Sequence, residues 1–207
     1  METINQRINN EICDETINKL KDTALLPVYM KSDSVKSNRI KLENILDKHV
    51  SLDTKKTVVE EYLPQLIPPG TKGVIRGNTF NNIIKDYITN LELEEEQYEV
   101  KFESKCEKFL TSEIPDWYIL HKTKNKILIG MNQLDLWSGG HQLNRGFKYL
   151  ENNKHNTENS KLLCVICNHI EFKKTTNKAY KLFQIGYEKN TLCYIKNLKN
   201  IIRLYFA

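Results

Sequence analysis

Residues 113–137 read EIPDWYILHKTKNKILIGMNQLDLW, and this stretch decides the fold. Pro115-Asp116 precedes one run rich in aromatic and β-branched residues, Lys-Thr-Lys-Asn-Lys follows, and a second apolar run then carries Gln133 and Asp135. Two such runs joined by a short polar turn make an antiparallel hairpin. With a two-residue turn at Lys124-Asn125, Thr123 pairs with Lys126 and Asp116 falls opposite Gln133. Directly opposite Cβ atoms lie roughly 4.5–5.5 Å apart, and alternation puts Gln133 and Asp135 on one face. The spacing therefore predicts that Asp116, Gln133 and Asp135 converge. Oxygen ligands so arranged suit a hard cation such as Mg²⁺, which takes one or two carboxylates and fills its other sites with water and phosphate oxygens. A one-residue slip would set Asn132 opposite Asp116 and disperse the trio.

C-terminal to the hairpin, SGGHQLNRGFKYLEN predicts a helix with Leu143, Phe147 and Leu150 inward. Gln142, Arg145 and Tyr149, at i, i+3 and i+7, fall on its other face, where Arg145 could grip a phosphate with two hydrogen bonds. KLLCVICNHI is almost continuously apolar and suits a strand buried on both faces. N-terminal to the hairpin, Tyr98, Val100 and Phe102 alternate with charged residues as in a half-buried strand. TFNNIIKDYITNLEL before it predicts a helix with Phe80, Ile83, Ile84, Tyr87 and Ile88 on one face, and IPPGTKGVIRGN, residues 67–78, reads as a Pro/Gly loop. From about residue 79 the order is helix, three strands, helix, strand, an α/β class with a mixed sheet. Residues 1–65 read as an N-terminal helical region and residues 66–207 as the α/β core with a basic C-terminal part, where residues 171–207 add a polar segment and a further hairpin or helix.

The 207 residues suffice for one sizeable domain with a helical appendage. No apolar run reaches the length of a membrane span. The polar opening METINQRINNEICDET is unlike a secretory signal. Five cysteines without a framework suggest a reducing, cytoplasmic setting. The wealth of Asn, Lys and Ile suggests an AT-rich genome, bacterial or viral. Net charge is +5 but uneven: residues 141–207 hold 12 Lys/Arg against 4 Asp/Glu, whereas residues 1–140 hold 19 against 22. A basic C-terminal third fits a polyanionic partner such as nucleic acid, though a solvated Lys-rich face would look the same. Cys164 and Cys167 sit three apart in an apolar strand, which sends them to opposite faces and favours buried thiols over zinc. His121 and His141 flank the hairpin as possible bases, and Trp117 and Trp137 read as packing residues.

Pro115-Asp116, the hairpin, Gln133-Leu134-Asp135 and the helix GGHQLNRGFKY together resemble the PD-(D/E)XK nuclease superfamily, particularly its type II restriction endonucleases. The segment GTKGVIRGNTFNNIIKDYI is also similar to the Gly-rich start and Phe-led core helix of such enzymes, so the likeness spans roughly residues 65–170. The resemblance implies a restriction-endonuclease-like core and Mg²⁺-dependent hydrolysis of phosphodiesters in double-stranded DNA by a homodimer. It makes Asp116 the metal-binding Asp, sets Gln133 where the second acid is expected, and sets Asp135 where the lysine is expected. Asp116, Gln133 and Asp135 are thus the implied catalytic and metal residues. Glu103 or Glu113 could supply the missing carboxylate, and Arg145, Lys148 or Lys101 the missing cation. Gln142, Arg145, Lys148 and Tyr149 are the implied DNA-phosphate contacts. The expectation is a sequence-specific endonuclease. The alternatives are a repair or recombination nuclease on the same core, or a DNA-binding module that has lost catalysis.

Overall fold

The computed structural model describes residues 2–109, 113–135, 140–151, 156–167 and 169–207. In chain order the elements are α1 (Ile4–Glu11), α2 (Asp14–Lys19), α3 (Asp22–Tyr29), α4 (Asp33–Leu46), α5 (Leu52–Tyr62), α6 (Pro69–Thr89), β1 (Tyr98–Phe102), β2 (Trp117–His121), β3 (Lys126–Gln133), α7 (Gly140–Gly146), β4 (Ser160–Ile166), α8 (Lys178–Glu188), β5 (Leu192–Tyr194) and α9 (Ile195–Phe206). A 3₁₀ turn, Leu63–Leu66, follows α5, and a π turn, Phe147–Glu151, extends α7. Among the described residues no helix is long and apolar enough to cross a membrane.

Two compact units divide the chain. One holds the residues up to Thr16 and those from Asn81 onward; the other is Ile17–Phe80. This differs from a division at residue 65, because α1 joins the sheet unit: Ile8 is fully buried in the same core as Phe183, Tyr187 and Ile129. Helix α1 starts with a capping box in which Gln6 N–H donates to Thr3 Oγ1 and Thr3 N–H donates to Gln6 Oε1. It stops at Ile12, whose extended backbone separates it from α2. The smaller unit packs Leu25, Tyr29, Val35, Val59, Leu63 and Ile67 together.

In the sheet unit the strand order is β1-β2-β3-β4-β5. The pairs β1/β2 and β2/β3 are antiparallel, and β3/β4 and β4/β5 are parallel. The parallel step from β3 to β4 requires a crossover, and α7 lies in it. The sheet is therefore mixed, within an α/β class, as expected. On one face Ile127, Ile129, Met131, Leu162, Cys164 and Ile166 pack with Leu150 and Phe183. The opposite face carries Trp117, Ile119 and Leu128, all essentially inaccessible. There Phe206 of α9 meets the Tyr98 and His121 rings.

Helix α6 corrects one expectation. Residues 69–78 are helical, not a loop. Pro69 occupies the first helical position, where its missing N–H costs nothing, and Gly70, Gly73 and Gly77 are tolerated inside the helix at roughly 1 kcal/mol each. A Cβ at any of these three glycines would meet nothing within 4 Å. Gly130 in β3 is the opposite case, since a Cβ there would lie 1.8 Å from Trp117 Cε2. Gly130→Ala should lower Tm by roughly 5–10 °C through overpacking of about 3 kcal/mol. Gly73→Ala should raise Tm by roughly 2 °C, because alanine improves an exposed helical position. Circular dichroism melts of the two variants check both signs.

Candidate functional site

The hairpin register differs from the expected one by two residues. Trp117 pairs with Gly130 and His121 with Lys126, so the turn is Lys122–Asn125 and Asp116 comes level with Met131 rather than Gln133. A two-residue type I′ turn needs positive φ at both central residues. Of Lys124 and Asn125 only Asn125 adopts it, at φ 49°. The longer turn is also stitched to His121, whose Nδ1 lies 3.5 Å from the donating Lys124 N–H and 3.3 Å from the Thr123 hydroxyl.

Asp116 sits just before β2, its own N–H donating to the Gly130 carbonyl at 3.1 Å. Both carboxylate oxygens are engaged. The main-chain N–H of Asn132 donates to Oδ2 at 2.6 Å, and Asn81 Nδ2, from α6, donates to Oδ1 at 3.1 Å. The asparagines are themselves linked: Asn132 Nδ2 donates to Asn81 Oδ1 at 3.2 Å, and Trp117 Nε1 donates to Asn132 Oδ1 at 3.0 Å. These side chains wall a cleft of about 40 Å³, which Lys85 and Glu103 also line. That volume suits one ion or water molecule, so anything larger must rest at its mouth.

Glu103 follows β1 with φ 46°, a left-handed conformation that costs a non-glycine residue of order 1 kcal/mol or more. Its N–H donates to the Asp116 carbonyl at 3.0 Å, which ties the two acids together through the backbone. Lys85 Nζ lies 5.4 Å from the centre of the Phe102 ring. Among the described residues neither Lys85 nor Glu103 has an ion-pair partner. Burial pushes the Asp116 carboxyl above its ordinary value and the Glu103 charge adds to this; the Asn132 N–H, Asn81 and the Arg145 charge pull against it without prevailing.

The other expected residues form a second group. Gln133 is buried, and its Oε1 accepts from Arg145 Nη1 at 3.0 Å. Asp135 lies beyond the end of β3, half-buried; neither it nor Gln133 lines the Asp116 cleft among the described residues. Lys148 Nζ pairs with Glu113 Oε1 at 2.9 Å, and the Tyr149 hydroxyl donates to Glu113 Oε2 at 2.8 Å. Burial works against ionisation of Glu113, but the Lys148 and Tyr149 hydrogen bonds and the Lys148 and Arg145 charges bring its carboxyl below the ordinary value. Tyr149 is a correction, being only 2% exposed rather than on an outer face. The π turn from Phe147 widens the helix and rotates Tyr149 inward. The Gln142 and His141 side chains, and all of Trp137, lie outside the described residues. Lys101 reaches only Glu99, at 3.7 Å, on the exposed side of β1. His121 is buried against Tyr98 at 4.8 Å between ring centres, at the turn end of β2.

Asn81, Asn132 and Lys85 were not singled out in the sequence. Asn132 was the available signal, since it flanks Gln133 on the strand that carries the expected trio. Among the described residues no group of three or more His, Cys, Asp or Glu is placed to hold a metal. What the cleft offers is two carboxylates and neutral amides, a donor set compatible with Mg²⁺ retaining several waters. No protein-family model, curated protein or solved structure matches the chain.

The Asp116 environment has a pH signature. Because its folded pKa is raised, the folded chain keeps a proton that the unfolded chain has already released. Stability attributable to this residue is greatest below the ordinary value of 3.8 and falls as pH rises through the folded value. A cation in the cleft would reverse the loss at higher pH. In thermal melts against pH, a cation held in the cleft should show as a Tm increment from millimolar Mn²⁺ at neutral pH that vanishes in the acid range where Asp116 is protonated.

Proposed function

We propose that this chain is a Mg²⁺-dependent DNA endonuclease built on a restriction-endonuclease-like core. The observation that carries the reading is a half-buried acid just before β2 that lines an ion-sized cleft together with a second, exposed acid. Element order supports it: α6, three antiparallel-linked strands, α7 and the parallel β4 follow the helix, three-strand, helix, strand sequence that the resemblance implies. The basic balance of residues 141–207 supports a polyanionic substrate.

In this reading Asp116 and Glu103 hold the ion. When bound, Mg²⁺ neutralises charge on a phosphodiester and lowers the pKa of a water molecule. The chain's own residues do the rest. Asn81 and the Asn132 N–H fix the Asp116 carboxylate, so no reorganisation is needed when charge arrives. Lys85, at the mouth, meets a non-bridging phosphate oxygen and takes the place of the absent motif lysine. Gln133 holds Arg145 in one orientation, and Arg145 with Lys148 receives the flanking backbone. One cleft serves one strand at a time, so cutting both strands in a single binding event would use a second copy of the chain.

A non-cutting DNA-binding module is the competing reading. The engagement of Gln133 by Arg145, away from the cleft, favours it. Plasmid cleavage separates the two. Discrete Mg²⁺-dependent fragments support a sequence-specific endonuclease, end trimming supports a repair enzyme, and a band shift without cutting supports the binding module. Asp116→Asn, which keeps the shape and one acceptor oxygen, should abolish cleavage while leaving DNA affinity nearly unchanged. Lys85→Ala should slow cleavage by roughly 10²–10³-fold, the usual effect of removing one preorganised charge-stabilising group. A normal rate for either variant contradicts the assignment.

A further inference from the structure

One of the two hydrogen bonds that end on the Asp116 carboxylate belongs to a chain that begins at a tryptophan. The indole N–H is a donor with no acceptor capacity, and the Trp117 Nε1 lies 3.0 Å from Asn132 Oδ1, in a buried setting. A carboxamide offered a donor must present its oxygen, so Asn132 turns its Nδ2 the other way, toward Asn81 Oδ1 at 3.2 Å. Asn81 then has only its own Nδ2 left to face Asp116 Oδ1, at 3.1 Å. The donor-only indole and the acceptor-only Asp116 carboxylate thus bracket the two carboxamides and set the same direction from opposite ends; when Asp116 is protonated, only the indole still enforces it.

We propose that Trp117 is a positioning residue for the cleft: its indole N–H holds the direction of the Asn132 and Asn81 carboxamides, so that Asp116 Oδ1 receives a donated hydrogen bond beside the one that the Asn132 main-chain N–H gives Oδ2, and the carboxylate presents a fixed anion to a cation. Gly130 is part of the device, since only a residue without a Cβ lets the indole lie where it does. The inference rests on the proposed reading for its cation arm alone; the direction of the amide chain stands apart from any activity.

The test is Trp117→Phe in the full chain, which keeps an apolar ring against Gly130 and removes the donor. Two readouts apply. Side-chain ¹H–¹⁵N spectra should show the Asn81 and Asn132 amide protons losing protection from solvent exchange. Mn²⁺ affinity, by calorimetry without DNA, should fall roughly three- to tenfold, the effect of weakening one buried hydrogen-bond chain. Unchanged protection and unchanged Mn²⁺ affinity overturn the proposal. Should the variant not fold, the wild-type spectra decide: protected Asn81 and Asn132 amide protons and a slowly exchanging Trp117 indole proton support the chain, and freely exchanging ones overturn it. A wild type that binds no Mn²⁺ removes the metal reading instead, and the amide spectra still decide the role of Trp117.

Discussion

The Asn132 main-chain N–H donates to the Asp116 carboxylate at 2.6 Å, and the site is organised around that bond. It fastens the loop before β2 to the last residues of β3, so the hairpin ends with an acid folded over the end of the sheet. Asn81 reaches the same carboxylate from α6, and Glu103 is bound to the Asp116 carbonyl through its own N–H. Three separate elements therefore meet at one residue, two at its carboxylate and one at its carbonyl, and each would be misplaced if the hairpin register moved by a residue.

The electrostatic consequence follows from the same arrangement. A half-buried carboxylate loses hydration that neutral donors replace only in part, and a second carboxylate nearby worsens the balance. The raised pKa of Asp116 expresses this deficit. The positive φ of Glu103 is a further local cost at the same place. Perturbed acids and strained backbone gather at functional sites because a ligand can offset what the fold alone leaves unfavourable. In the proposed reading that ligand is a divalent cation, whose charge and size would suit two carboxylates around a volume of about 40 Å³. The group of Gln133, Arg145, Glu113, Lys148 and Tyr149 brings two cations to one carboxylate that is already hydrogen-bonded and ion-paired, and is better suited to meet an anion than to receive a metal.

The sequence made the hairpin, the buried β4, the mixed sheet and the prominence of Asp116 legible, because alternation, turn residues and long apolar runs are local signals. The register was not legible to the residue. It depends on Asn125 alone taking positive φ and on His121 supporting a four-residue turn, neither of which spacing reveals. The early start of α6 was hidden by three glycines that composition assigns to a loop, and the burial of Tyr149 by a π turn that breaks the 3.6-residue period. Asn132 is marked by its place beside Gln133, but its partnership with Asn81 spans 51 positions in a chain rich in asparagine, so nothing in the sequence marks Asn81 out from the other amides. Lys85 was passed over for a related reason, since only the packing of α6 beside the strand ends brings it near Asp116.

The central claim is that Asp116 and Glu103 share a divalent ion. Anomalous diffraction from crystals soaked in Mn²⁺ tests it most directly. A peak between those two carboxylates, with Asn81 and Asn132 still bound to Asp116, is the result the account predicts. A peak instead at Gln133 and Asp135, or none at all in crystals where the cleft is open to solvent, would contradict it.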